Sequence, residues 1–302
     1  MSGGFQTQPF YFDKKLRRAE RLGWHDHDVR LQRLYAHSWR TNYALRRRKN
    51  FTDITDNYGM GASQRIALNM EILEYDKSGK TKGKSFKDAF ELMLRSVSDN
   101  GHSLEGCKMY LTTPRAVDGR RPVDFTDGFI DFKKFCDESD VPFTIVSSGM
   151  DELIRAVLTE LAKGSDKDVV KDIAIVSNGV RRDATGKWFI TWRHPDSAYG
   201  HDKSQAILPY QEYRQTHDGR GPTVFFFGDG VSDLSAAQHA DILFVKVTGI
   251  DEKDNLKKHC DKAGIPYIPF FDFRVAKAIV GQIVRGDKTK DDFLIKPVGG
   301  AN

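Results

Sequence analysis

The hydrophobic positions change period along the chain. From Leu16 to Leu45 apolar residues recur three and four positions apart among arginines, as Leu16, Ala19 and Leu22 and then Val29, Leu31, Leu34 and Tyr35. That spacing predicts an amphipathic helix with a basic face, closed by Arg46-Arg47-Arg48-Lys49. Between about Tyr58 and Phe125 the pattern stays helical, and Phe86, Ala89, Phe90, Leu92, Met93 and Val97 share one face of a helix over Ser85 to Ser98. A Gly/Lys loop, Lys77 to Lys84, precedes it. Then come short, continuous apolar runs: Val141 to Val146, Asp172 to Val176, Thr223 to Phe227 and Ile242 to Val247. Tyr267-Ile-Pro-Phe-Phe271 reads as an edge strand, because its proline cannot donate to a ladder. Apolar strands alternating with helices predict an α/β fold whose parallel sheet is covered on both faces. Chemistry in such sheets gathers at the carboxyl ends of the strands.

Composition narrows the picture. Apolar content of 39% beside 29% charged residues reads as soluble and globular. No run of eighteen apolar residues exists, so no membrane span is expected. Met1 to Phe10 lacks the basic-then-apolar order of a secretory signal. Cys107, Cys136 and Cys260 are odd in number and widely spaced, which points to ordinary thiols in a reducing compartment. The net charge of +5 is uneven: residues 1–50 hold 12 Lys/Arg against 4 Asp/Glu, and the remainder 35 against 38. The overall basicity is therefore no nucleic-acid signal, although the basic arm could meet an acidic partner. His25-Asp26-His27-Asp28 alternates carboxylates and imidazoles without the i, i+4 spacing that a helical metal site needs. A cytoplasmic location is expected, with a mitochondrial one as the alternative that the basic arm leaves open.

The strand ends carry the candidate chemistry. Gly228-Asp229-Gly230-Val231-Ser232-Asp233 follows the Phe-rich run and precedes a small-residue helix. Two glycines let the backbone turn sharply and leave Asp229 facing the crevice, where a hard cation such as Mg²⁺ would find carboxylate oxygen; Asp233 could add a ligand or an acceptor behind it. The plainer reading is a turn at Asp229-Gly230 and a helix cap at Asp233. Ser147, Ser148 and Gly149 end another strand at a helix start, where a hydroxyl and backbone amides can meet a phosphate oxygen, or where the chain simply turns. Lys203 supplies a cation that could pair with phosphate and with an aspartate nucleophile.

The ordered set of "VSSGMDELIRAVL", "HPDSAYGHDKSQAILPY" and "FFFGDGVSDLSAAQHADILFVKV" resembles the haloacid dehalogenase superfamily, and in it the phosphoserine-phosphatase-like branch found in fungi. The resemblance runs from about Thr55 to Lys288. It implies a Rossmann-like core with an inserted helical cap, and Mg²⁺-dependent phosphomonoester hydrolysis through an aspartyl-phosphate. By the same resemblance Ser147, Lys203, Asp229 and Asp233 fill the second to fourth motifs. The expected organisation is a basic extension (1–50), a core (51–57 and 126–290), a helical cap (58–125) and a tail (291–302).

The first motif departs from the family pattern of an apolar strand ending Asp-x-Asp-Gly-Thr. Phe51-Thr52-Asp53 matches the strand end and Thr55-Asp56-Asn57-Tyr58-Gly59 the cap entry, but the dozen or so residues between them are missing. A chain lacking one exon would read the same way. Asp53 is then the one candidate for nucleophile and metal ligand. Two residues on stands Thr55, which cannot shuttle a proton, although P-type ATPases, by resemblance, carry a threonine there and still form the aspartyl-phosphate. The strand before Asp53 would have to be made of three arginines and a lysine. The expected function is a phosphatase-like protein acting on a small phosphorylated metabolite with impaired activity; the alternative is a non-catalytic relative that binds a partner through the basic arm.

Overall fold

The computed structural model describes residues 34–37, 45–47, 51–75, 83–116, 119, 121–219, 221–249 and 254–297. Most of the basic arm, including His25 to Asp28, and the 298–302 end of the tail lie outside the described residues.

Seven strands form one sheet in the order β6-β5-β4-β1-β7-β8-β9. These are β1 (Leu34–His37), β4 (Phe143–Met150), β5 (Ala174–Arg182), β6 (Trp188–Thr191), β7 (Thr223–Gly228), β8 (Ile242–Lys246) and β9 (Ile268–Phe270). All pairings are parallel except β5 with β6, a hairpin. The apolar runs become strands because both sheet faces are covered. Along β7 the side chains alternate between two cores: Phe225 and Phe227 join Phe132, Phe143, Phe244, Phe270 and Phe273 on one face, while Val224 and Phe226 join Leu243, Val245, Leu256 and Tyr267 on the other. The first face is closed by α5 (Phe129–Glu138), α6 (Asp151–Leu161) and α11 (Phe273–Val284); α9 (Leu234–Ala237) and α10 (Asn255–Ala263) cover the second. Phe227 stacks on Phe244 with ring centroids 4.3 Å apart and meets Phe270 edge-on at 5.4 Å. As the sequence predicts, β9 is an edge strand holding Pro269. Just before it, Tyr267 exchanges both backbone hydrogen bonds with Ile295.

Two expectations fail. The helix over Leu16 to Leu45 is broken by β1, which sits between β4 and β7 at the centre of the sheet. Asp53 does not end that strand: Phe51–Tyr58 is a helix, α1. The physical reason lies in Arg46 to Lys49. A central strand is flanked by strands and covered by helices, and four consecutive cations there would be buried without partners, at several kcal/mol each. Leu-Tyr-Ala-His can occupy that position. Leu45–Arg47 forms β2 instead, paired antiparallel with β3 (Val123–Phe125) in a separate two-stranded ribbon.

Four helices lie before β3: α1, α2 (Ala62–Glu74), α3 (Phe86–Asp99) and α4 (Leu104–Thr112). They pack on one another, so α1 begins the helical unit; residues 51–57, expected in the core, belong with it. Tyr58 stacks on His102 at 4.0 Å, and a Cβ on Gly59 would lie 2.6 Å from Ser96 Oγ, so helix α1 leaves along a path that only glycine allows. The unit docks on the β5–β6 hairpin. There Trp188 is 2% exposed, its backbone N–H donates to Ser98 Oγ at 3.0 Å, and its indole N–H donates to the His102 carbonyl at 2.8 Å. α7 (Asp166–Lys171) and α8 (Leu208–Thr216) complete the described helices.

Trp188 thus joins sheet and helical unit. Trp188→Ala is expected to cost about 3–5 kcal/mol, the range for truncating a buried aromatic. Trp188→Phe should cost distinctly less while losing the bond to His102. Urea denaturation followed by circular dichroism measures both, and a loss under about 1 kcal/mol for the alanine variant would contradict the docking role.

Candidate active site

Strand β4 is buried over its whole length and loses its regular register with β5 between Ser147 and Met150. This irregularity aims the strand end. Asn178, fully buried on β5, donates its amide to the Ser148 carbonyl at 2.8 Å and accepts from the Arg193 backbone at 2.9 Å. Gly149 N–H donates to Ser147 Oγ at 3.1 Å. The Ser148 hydroxyl is buried and has no hydrogen-bond partner among the described residues. The Ser147 carbonyl lies 2.6 Å from His201 Nδ1; a carbonyl only accepts, so Nδ1 carries the proton. Burial, with Lys203 nearby, pushes the His201 pKa down to about 3.

His201 leads into a 3-10 turn, Lys203–Ala206, that packs against the end of β4. Asp202 caps this turn by accepting from the Ser204 amide and hydroxyl. Gly200 precedes it with φ +64, and a Cβ there would fall 2.2 Å from the Trp192 ring. Lys203 and Asp233 are both without solvent exposure, and Lys203 Nζ donates to Asp233 Oδ1 at 2.7 Å. Asp233 Oδ2 accepts from the Asp229 and Gly230 amides at 3.0 and 3.1 Å. Asp233 therefore organises the turn after β7, with its two oxygens accepting from Lys203 and from the Asp229 and Gly230 amides. Asp229 is half-buried at the end of β7. Gly228 is needed for the tight turn, since a Cβ would lie 2.5 Å from Leu256 and 3.1 Å from Asp233 Cβ.

The structure brings Ser147, Ser148, Gly149, Lys203, Asp229 and Asp233 to the carboxyl ends of β4 and β7, on either side of β1. It does not bring Asp53 there by the expected route. His37 pairs in register with Thr144 and with Phe226, so Ser147 and Asp229 both stand three residues beyond its level. After His37 the sequence holds no Asp or Glu until Asp53, which lies in the first turn of α1. Among the described residues no group of three or more His, Cys, Asp or Glu could hold a metal ion. Mg²⁺ is commonly held by one or two carboxylates, with water and phosphate oxygens completing its shell, and half-buried Asp229 stands at the strand end where a carboxylate would meet it. His201 and Asn178 escape a sequence reading, because each acts through a backbone carbonyl on another strand. Asn178 does have one sequence signal: it ends an apolar strand run.

His201 gives the site a pH signature. Its folded pKa lies below the ordinary 6.5, so the unfolded chain takes up a proton that the folded chain refuses. The neutral ring's full contribution is present above about pH 6.5 and is lost as pH falls toward about 3, at up to about 1.4 kcal/mol per pH unit. Unfolding free energies measured between pH 7 and pH 5 should therefore fall less steeply in His201→Gln than in the parent; equal slopes would refute the assignment.

Comparison with known proteins shows the family. The family model for haloacid dehalogenase-like hydrolases matches residues 6–238. "Pdp3-interacting factor 1" of Schizosaccharomyces pombe is 34% identical over 221 residues, covering 73% of this chain and 83% of that protein. "Polyol phosphate phosphatase PYP1" of Saccharomyces cerevisiae is 32% identical over 244 residues, covering 80% of this chain and 90% of its own length. Among solved structures, the phosphoserine phosphatase from T. onnurineus aligns with a TM-score of 0.46 at 12% identity, over 85% of this chain and 98% of that one. With the family model matching well over half its length and two relatives above 30% identity, this chain belongs to the haloacid dehalogenase-like hydrolases.

Proposed function

We propose that this protein binds the phosphate group of a small phosphorylated metabolite, a polyol phosphate by analogy with the yeast relative, and hydrolyses it far more slowly than family members with a complete first motif. The observation that carries the reading is a buried ammonium, Lys203, held by Asp233 beside the strand end that bears Ser147. Lys203 offers N–H donors to phosphate oxygens, and charge-assisted bonds of this kind are roughly twice as strong as neutral ones. The Ser147 hydroxyl accepts from Gly149 N–H and can donate its own proton to a phosphate oxygen. Ser148 and Gly149 extend this cradle: a buried hydroxyl without a partner normally costs about 1–3 kcal/mol, and an anion would offset that.

The chemical step is where this chain departs from its family. Hydrolysis through an aspartyl-phosphate needs a carboxylate at the end of the central strand and a second acid to protonate the leaving group. The sequence after His37 supplies neither, and Asp53 sits in the helical unit. Phosphatases of this family generally use Mg²⁺; Asp229, with Asp233 behind it, is the carboxylate that would meet such an ion here, and the proposed phosphate binding draws on Lys203 and Ser147.

Two outcomes are expected. Isothermal titration with inorganic phosphate should detect binding that weakens about tenfold or more in Ser147→Ala, since a hydrogen bond to a charged group contributes about 1.5–3 kcal/mol. No binding by the parent chain would end the proposal. Turnover of aryl and polyol phosphates should fall at least about 10²–10⁴-fold below an intact family member, the usual cost of losing one general acid/base, and Asp53→Asn should leave the residue of activity unchanged. A turnover above roughly 10 s⁻¹, or its loss in Asp53→Asn, would show that Asp53 reaches the site and is the nucleophile.

A further inference from the structure

A cavity of about 430 Å³ lies beyond the turn after β7. Tyr75 at the end of α2 and Phe86 at the start of α3 form one wall, Tyr199 and Leu234 another, and Lys258 and Lys262 of α10 a third. Leu234 follows Asp233 directly, so the cavity and the phosphate cradle share a turn but present different side chains.

Helix α10 distributes its residues unevenly. Leu256 and Cys260 face the core. Lys257 pairs with Asp261 four residues on, at 2.8 Å, and Asp261 also accepts from the Tyr267 hydroxyl. Lys258 and Lys262, one turn apart, line the cavity instead, and among the described residues neither has an ion-pair partner. Like charges at that spacing destabilise a helix by about 0.2–0.5 kcal/mol. The half-buried ring of His259 lies between them, and burial together with the Lys262 charge lowers its pKa. A concave site with aromatic walls and convergent cations at one side has the make-up of a ligand pocket.

We infer that this cavity is a second binding site, separate from the phosphate cradle, for an organic anion whose flat apolar body lies among Tyr75, Phe86 and Tyr199 and whose carboxylate or phosphate meets Lys258 and Lys262. The aromatic rings supply apolar area and the lysines supply the charge, so neither half of the ligand alone should suffice. The site does not depend on the cradle being catalytic or even on its binding phosphate.

The test uses the whole chain and naphthalene-2-carboxylate, followed by fluorescence and by isothermal titration. Saturable binding is expected, weakened about tenfold or more in the double variant Lys258→Ala, Lys262→Ala. Both lysines are exposed on a helix surface, so that variant should keep the parent's circular dichroism and melting temperature. Inorganic phosphate just sufficient to saturate the cradle should leave the naphthoate affinity unchanged, and acetate and naphthalene-2-methanol should both bind much more weakly. Equal affinity in parent and variant, displacement by inorganic phosphate, or an alcohol that binds as well as the carboxylate would each overturn the inference. Phosphate binding to the cradle is read separately by titrating inorganic phosphate alone, so failure of one site leaves the other legible.

Discussion

The contact between Lys203 and Asp233 governs the rest of the site. Removing an ammonium and a carboxylate from water costs several kcal/mol per ion, and their mutual attraction repays that only with good geometry and further hydrogen bonds. Both conditions hold: the pair is 2.7 Å apart, and the second carboxylate oxygen takes two backbone N–H groups. The result is a cross-link between three segments. The turn after β7 is tied to the 3-10 turn at Lys203, and His201 ties that turn to β4 through the Ser147 carbonyl. Deleting either charge strands the other in the core, typically at 3–5 kcal/mol.

The proposed anion cradle draws its residues from outside the altered first motif. The motifs that shape the cradle lie between Ser147 and Asp233, on β4 and β7, which each pair with β1 and pack through a shared aromatic core. The nucleophile's strand contributes by filling the sheet's central gap. Four residues, Leu34–His37, do so here by backbone pairing, and pairing places few demands on which side chains follow them.

The legible parts of this fold are those whose character is local. The Phe-rich strand, the GDGxxD turn, the proline edge strand and the amphipathic helix α3 each carry their signal within about ten residues. β1 does not. Leu34-Tyr35-Ala36-His37 sits inside a helix-like rhythm, and only the vacancy between β4 and β7 makes it a strand, a tertiary constraint that overrides local propensity. Asp53 differs for the complementary reason: its match to the family motif is local, while the backbone there is helical, set by the cations before it and by the packing of Ile54 and Tyr58. The roles of His201 and Asn178 are invisible in sequence because they consist of single bonds to backbone atoms thirty and fifty-four residues away.

The edge formed by β9 has a bearing on how copies of this chain meet. An open parallel sheet presents a row of unpaired backbone groups at its margin, which another polypeptide can use to extend the sheet. Here the strand is three residues long, its central residue is Pro269, and the adjoining Tyr267 has both backbone groups taken by Ile295. Lys246 adds a further block by donating to the Phe271 carbonyl at 2.6 Å. Strand-by-strand growth from this margin is closed off, so a second copy that meets the β9 side of the sheet has to do so through side-chain surfaces, which substitution can tune without disturbing the sheet.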